Sequence, residues 1–133
     1  MPAEPLFDIS KVDPNRVLHD REFLRGINPH RHEFEQIDHI AHYCSDPLSA
    51  VALRRIRDDE FWVRGHFPGN PLFPGVLMVE AAAQAASFCF HMKFGKLDRK
   101  IFGFGGLEEV RFRGAVKPGV NVLSMPRVPQ SAR

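Results

Sequence analysis

Two cysteines, Cys44 and Cys89, are all that this chain of 133 residues contains. They lie far apart and form no Cys-x-x-Cys pair. That excludes a disulfide framework and fits a reducing compartment; Cys89, inside an apolar run, reads as a small core residue. Charge of one sign is equally scarce. Lys and Arg number 18 against 16 Asp and Glu, and a net charge of +2 is too small to argue for nucleic acid. No apolar run is long enough to span a membrane comfortably, because the longest is broken by Glu80 and Gln84. The first residues, MPAEPLFDIS, lack the charged-then-apolar order of a secretory leader, so a cytoplasmic location is expected. Repeats and low-complexity tracts are absent. What remains is one domain over residues 1–133, long enough to bury a core, with a hydrophobic fraction of 44% that excludes wholesale disorder.

Punctuation by proline and glycine divides the chain. Residues 1–15 carry three prolines and read as an extended arm. A short helix is expected over roughly 15–26, ended by Gly26 and Asn28-Pro29. Residues 34–43, FEQIDHIAHY, repeat apolar positions every third residue, which by periodicity alone predicts helix. Asp46-Pro47 marks a turn before the strand LSAVALRRI, and a short aromatic strand, EFWVRG, follows Asp58-Asp59. Pro74 to about Met92 forms a long helix. LEEVRFRG alternates as a strand, with Val110 and Phe112 on one face and Glu109, Arg111 and Arg113 on the other. After Pro118-Gly119, VNVL begins another apolar stretch, and residues 124–133 read as an irregular tail. Strands, one long helix and then strands make an α+β domain.

The long helix carries the chemistry. Pro74 suits its first position, where a missing N–H costs nothing. Val76 to Phe90 is apolar on nearly every face, which predicts a helix buried all round. The exceptions, Glu80, Gln84, Ser87 and His91, follow spacings of 4, 3 and 4 and share one stripe. A buried Glu80 must be paired with a cation or become neutral, and a neutral carboxyl can act as a general acid; the helix alone leaves both open. His66 precedes FPGNPLFPG, a segment with three prolines and two glycines. Such a loop has little freedom and suits holding a side chain in place. The first N–H groups of the helix, at Gly75 and Val76, have no acceptor within it and could receive a carbonyl oxygen gaining negative charge. Base, acid and oxyanion donors together suit proton abstraction beside a carbonyl with loss of a β-hydroxyl.

At GHFPGNPLFPGVLMVEAAAQ the sequence resembles the (3R)-hydroxyacyl-[acyl carrier protein] dehydratases of fatty-acid synthesis. The likeness runs back to INPHRHEF and forward to FGFGGLEEVRFRGAVKPG, covering roughly residues 22–120. It implies a hot-dog fold, a curved antiparallel sheet wrapped around the central helix, and hence a strand at 34–43 in place of the helix that periodicity predicts. It implies an obligate homodimer with two sites at the interface; a trimer of such dimers is a further assembly that the sequence leaves open. By position, His66 matches the histidine that removes the C2 proton, and Glu80 the acid, from the opposite subunit, that helps the 3-hydroxyl leave. Gly75 matches the donor to the thioester carbonyl and Gln84 the support of the acid, so Gly75, Val76, Gln84 and Phe67 are expected at the substrate. Glutamate, rather than aspartate, at position 80 points to the branch that dehydrates without isomerising. No cofactor or metal is implied. The chain departs from the family at its end, where SMPRVPQSAR stands in place of two further long strands.

The resemblance also gives weight to the basic stretch after the helix. Between Lys93 and Lys117 lie seven Lys and Arg against three acids, and acyl carrier protein is acidic, so Lys93, Lys96, Arg99 and Lys100 are expected at its docking surface. Three rival readings stand beside dehydration. One is zinc held by His30, His32, His39 and His42, which lacks cysteines and a ligand spacing. The others are a hot-dog thioesterase and a catalytically impaired acyl-carrier-binding subunit.

Overall fold

The computed structural model of the chain describes residues 8–95 and 106–129. Strands β1 (His39–Ser45), β2 (Leu48–Arg55) and β3 (Asn121–Ser124) form an antiparallel sheet in the order β1-β2-β3. The Asp46-Pro47 signal is the hairpin turn between β1 and β2, with Ser45 opposite Leu48. β2 is central, and its residues from Leu48 to Arg54 are all buried. The free edge of β1 is covered by the N-terminal segment, where Ile40 N–H donates to His19 O at 2.9 Å. Two prolines keep residues 125–129 from forming a regular strand. Pairing with β2 nevertheless continues there, from Ala50 N–H to Pro126 O and from Val128 N–H to Leu48 O.

The long helix α2 (Gly75–Phe94) crosses one face of this sheet. Ala50 and Ala52 of β2 present small side chains to Ala85, Phe88 and Cys89, with Leu24, Ile37, Ile40 and Leu48 completing the cluster. Phe88, Ala85 and Cys89 are fully buried, and burial pushes the Cys89 thiol up to about 12. A second cluster, Ile56, Trp62 and Phe73 with Leu77, Met78 and Val116, lies under the segment that carries His66.

The α+β expectation holds, the strand that the resemblance implied over 34–43 forms only from His39 to Ser45, and several local expectations fail. Tertiary pairing overrides helical periodicity at β1, because its backbone groups find partners on β2 and on the N-terminal segment. The helix expected over 15–26 shrinks to α1 (Arg21–Arg25), capped by the Asp20 carboxylate on Phe23 N–H. EFWVRG is a succession of turns, drawn in because Trp62 and Glu60 bond each other. LEEVRFRG has alternation but no ladder among the described residues, and Leu107, Val110 and Phe112 are all about half exposed, since no described strand lies beside it. Pro74 caps α2 from an extended conformation rather than starting it.

The helix itself is not buried all round. Ala81, Gln84, Ala85, Phe88, Cys89 and His91 form the buried stripe, while Ala82 is exposed and Val79, Ala83, Ala86 and Phe90 are only partly covered. A three-stranded sheet covers one side only. At 20 residues α2 is, by length and composition, apolar enough to cross a membrane, contrary to the shorter span expected. Its stripe on the sheet makes it a core helix here.

One ion pair joins these parts. Arg54 and Glu60 have side chains 5% and 6% exposed and meet through two hydrogen bonds, of 2.5 and 2.9 Å. Arg54 also donates to Gln36 Oε1, and Glu60 accepts from Arg57 N–H and Trp62 Nε1–H. Burial alone would raise the Glu60 carboxyl, but the hydrogen bonds from Arg54, Arg57 and Trp62 outweigh it and hold it below its usual 4.5. Arg54→Met would leave Glu60 buried without its partner and should cost about 3–5 kcal/mol, read from the urea midpoint. A carboxyl held low contributes stability above its unfolded value that is lost as pH falls through its folded value. The parent should therefore lose stability below about pH 4.5 more steeply than Glu60→Gln. Equal acid profiles for the two would show that the pair does not act in this way.

Candidate active site

His66 sits where the turns after Glu60 meet the proline-rich loop. Its backbone N–H donates to Trp62 O at 2.8 Å, so the second cluster anchors it from below. Residues 66–72 close on themselves. Leu72 N–H donates to His66 O at 2.7 Å, and Phe67 and Asn70 exchange backbone bonds of 3.0 and 2.8 Å. Gly69 has a φ of 72°, which a side chain would disfavour, so this tight loop needs glycine there. The ring is then fixed by its own loop. Nδ1 donates to Leu72 O at 2.8 Å, which places the proton on Nδ1 and leaves Nε2 as a bare acceptor. Phe67 stacks on the ring at 4.2 Å and is itself half exposed.

The loop delivers the chain into the N-terminus of α2. The N–H groups of Gly75 and Val76 donate to no acceptor among the described residues, and Val76 is 74% exposed. Gly75 is closely approached. A Cβ there would stand 2.9 Å from the Phe112 ring, which lies across the start of the helix. Phe73 N–H donates to Val116 O at 2.7 Å and holds that passing segment in place.

Glu80 lies farther along the helix and is half-buried, not enclosed, with 22% of its side chain exposed. Its Oε1 accepts from Gln84 Nε2 at 3.2 Å and lies 3.3 Å from His30 Nε2. Gln84 is buried and both of its amide N–H groups are used. Its amide donates also to Phe34 O at 2.6 Å and accepts from Gln36 N–H at 3.1 Å. The structure thus sets Gln84 as a support for Glu80, placed on the helix stripe by its spacing of four. Farther down that stripe His91 turns back on the helix, with Nδ1 2.8 Å from Ser87 O.

Among the described residues no hydrogen bond or ion pair joins His66 to Glu80 within the chain. Neither of two cavities on the described surface is lined by His66 or Glu80. One is lined by Arg25, Asn28, His30 and Gln84, and the other, an open polar groove, by His32, Gln36, Arg54 and Phe61. The four N-terminal histidines disperse: His30 goes to Glu80, and His39 Nε2 lies 2.9 Å from Pro14 O. Among the described residues no group of three or more His, Cys, Asp or Glu could hold a metal. Sequence reasoning missed His30, Gln36 and Arg54. Only His30 left a trace, inside INPHRHEF, and that segment names no role for it. Of the docking residues, Lys93 reaches Ser45 O at 3.5 Å, whereas Lys96, Arg99 and Lys100 lie outside the described residues.

Comparison with known proteins places this geometry. Residues 28–127 match the FabA-like domain family. The chain is 39% identical over 103 residues to the 3-hydroxyacyl-[acyl-carrier-protein] dehydratase FabZ of Chlamydia trachomatis serovar L2, covering 77% of this chain and 67% of that one. It is 37% identical over 104 residues to the FabZ of Cronobacter sakazakii, with 77% and 68% covered. To the FabZ of Nitratidesulfovibrio vulgaris it is 36% identical over 109 residues, with 81% and 70% covered. All three alignments take in most of this chain, and the sheet with its long helix is the hot-dog arrangement built here with three strands. The chain belongs to the FabA-like family.

Proposed function

We propose that this chain dehydrates (3R)-3-hydroxyacyl-[acyl carrier protein] to the trans-2-enoyl thioester in the cytoplasm, as a homodimer whose sites join His66 of one subunit to Glu80 of the other. The observation that carries this reading is the His66 ring: its proton is committed to Leu72 O, so a bare Nε2 stands on a rigid loop beside the open N-terminus of α2. That nitrogen takes the C2 proton. The Gly75 and Val76 N–H groups receive the thioester oxygen as charge moves onto it, and the partner's Glu80 protonates the 3-hydroxyl. The C2–H and C3–O bonds break, C2=C3 forms and water leaves. Imidazolium and carboxylate then return to their starting states by proton exchange with solvent. The separation of His66 from Glu80 within one chain, and the half-covered outer face of α2, both support a shared site.

Three measurements test the reading. In hydration of a crotonyl thioester, His66→Ala and Glu80→Gln should each lower kcat by roughly a hundredfold to ten-thousandfold. Unfolded and refolded together, they should recover activity in about a quarter of sites, because a mixed dimer carries one intact pair. No recovery on mixing would place both residues in one subunit's site, and release of free thiol would point to hydrolysis instead. Gly75→Ala should lower kcat by at least about tenfold with little change in melting temperature, since its methyl displaces an exposed ring yet crowds the oxyanion donor. A parent-like kcat would remove the carbonyl from that position. We propose further that Lys93, Lys96, Arg99 and Lys100 receive the acidic carrier protein. Reversing the four charges should raise KM for carrier-bound substrate, and an unchanged KM would exclude this surface.

A further inference from the structure

We propose that His30 is a positioning residue for Glu80: its Nε2–H donates to Oε1, so that with Gln84 on the same oxygen the carboxyl presents Oε2, and the proton on it, to substrate. This rests on Glu80 being the acid of the proposed dehydration. Two nitrogens converge on one oxygen, Gln84 Nε2 through a hydrogen bond of 3.2 Å and His30 Nε2 as a close contact at 3.3 Å, while Oε2 has no partner among the described residues. An oxygen that already accepts two N–H groups is the carbonyl-type oxygen of a carboxylic acid, which leaves the O–H on the other. Once Oε2 has given up its proton, the same two donors face the new carboxylate and stabilise it.

His30 is held for this task. The Arg31 guanidinium gathers three carbonyls, those of Asn28 at 2.9 Å, His30 at 2.7 Å and Arg25 at 3.0 Å, which fixes the backbone on both sides of the ring. Asn28 Nδ2 donates to Gln84 O and ties the segment to α2. The ring's other nitrogen, Nδ1, is buried and has no partner among the described residues. A proton there would be a buried donor without an acceptor, so the neutral ring carries its hydrogen on Nε2, facing Glu80. The charged groups around the adjoining cavity are already committed. Arg25 is bonded to Glu35 at 2.7 Å and Arg21 to Asp38 at 2.8 Å, so neither competes for the carboxyl.

The test compares His30→Leu, which removes the donor, with His30→Gln, which restores an N–H at similar reach. In crotonyl thioester hydration His30→Leu should lower kcat on the order of tenfold to a hundredfold while KM and melting temperature stay near the parent, and His30→Gln should recover most of the loss. A parent-like kcat in His30→Leu, or a His30→Gln as impaired as His30→Leu, would overturn the positioning role. Imidazole nitrogen NMR on the intact chain reads the contact without turnover. It should show an Nε2–H tautomer whose signals move in Glu80→Ala; an Nδ1–H tautomer, or signals indifferent to that change, would refute it. A chain that hydrates nothing yet gives the expected spectrum would refute the dehydratase reading and keep the contact.

Discussion

Arg54 and Glu60 face one another almost completely out of water, and most of what positions the site runs through them. Two buried charges cost several kcal/mol each to desolvate, so the pair persists only because every remaining lone pair and N–H nearby is also used. Those added bonds hold the site. From Glu60 one runs through the Trp62 indole to the turns whose carbonyl anchors His66. From Arg54 another runs to the Gln36 side chain, whose backbone N–H holds Gln84, which in turn bonds Glu80. His66 and Glu80 thus hang from opposite ends of one buried network, with no bond between them among the described residues. Phe73, just before the helix, lies under the Arg54 guanidinium at 5.0 Å, which brings the start of α2 into the same assembly.

A sheet of three strands covers one side of a helix that is apolar on nearly all sides. Burial of the stripe from Ala81 to His91 accounts for the packing within the chain, and the residues left half covered, from Val79 to Phe90, need another surface. In the proposed dimer the same deficit is the functional design, since a site split between subunits forms only when that surface is covered. LEEVRFRG fits this picture. Its alternation equips it to be a strand, yet it has no ladder among the described residues and leaves Leu107, Val110 and Phe112 about half exposed.

The polar stripe of α2 divides the labour among its members. Gln84 is buried and spends its amide on the backbone of residues 34–36 and on Glu80, whereas one oxygen of Glu80 has no partner among the described residues. A buried amide that bonds Phe34 O, the Glu80 carboxyl and Gln36 N–H has little freedom to turn, so it restrains the orientation of the carboxyl.

Much of the site was legible because its signals are local. Three prolines and one glycine between His66 and α2 specify a stiff loop, and the spacing of four puts Gln84 beside Glu80 on any helix. The start of α2 and the Asp46-Pro47 turn follow from residues a few positions apart for the same reason. Partners in tertiary space leave no such mark. Whether FEQIDHIAHY is helix or strand, and whether LEEVRFRG pairs at all, depends on which backbone groups another segment supplies. Gln36 and Arg54 are 18 residues apart, and Asn28 and Gln84 are separated by 56; no periodicity connects them. The sequence by itself therefore determined the family, the loop and the helix with its polar stripe. The tertiary structure alone decided that His30 meets Glu80 and that Arg54 meets Glu60, because a hydrogen bond depends on position in space and not on distance along the chain.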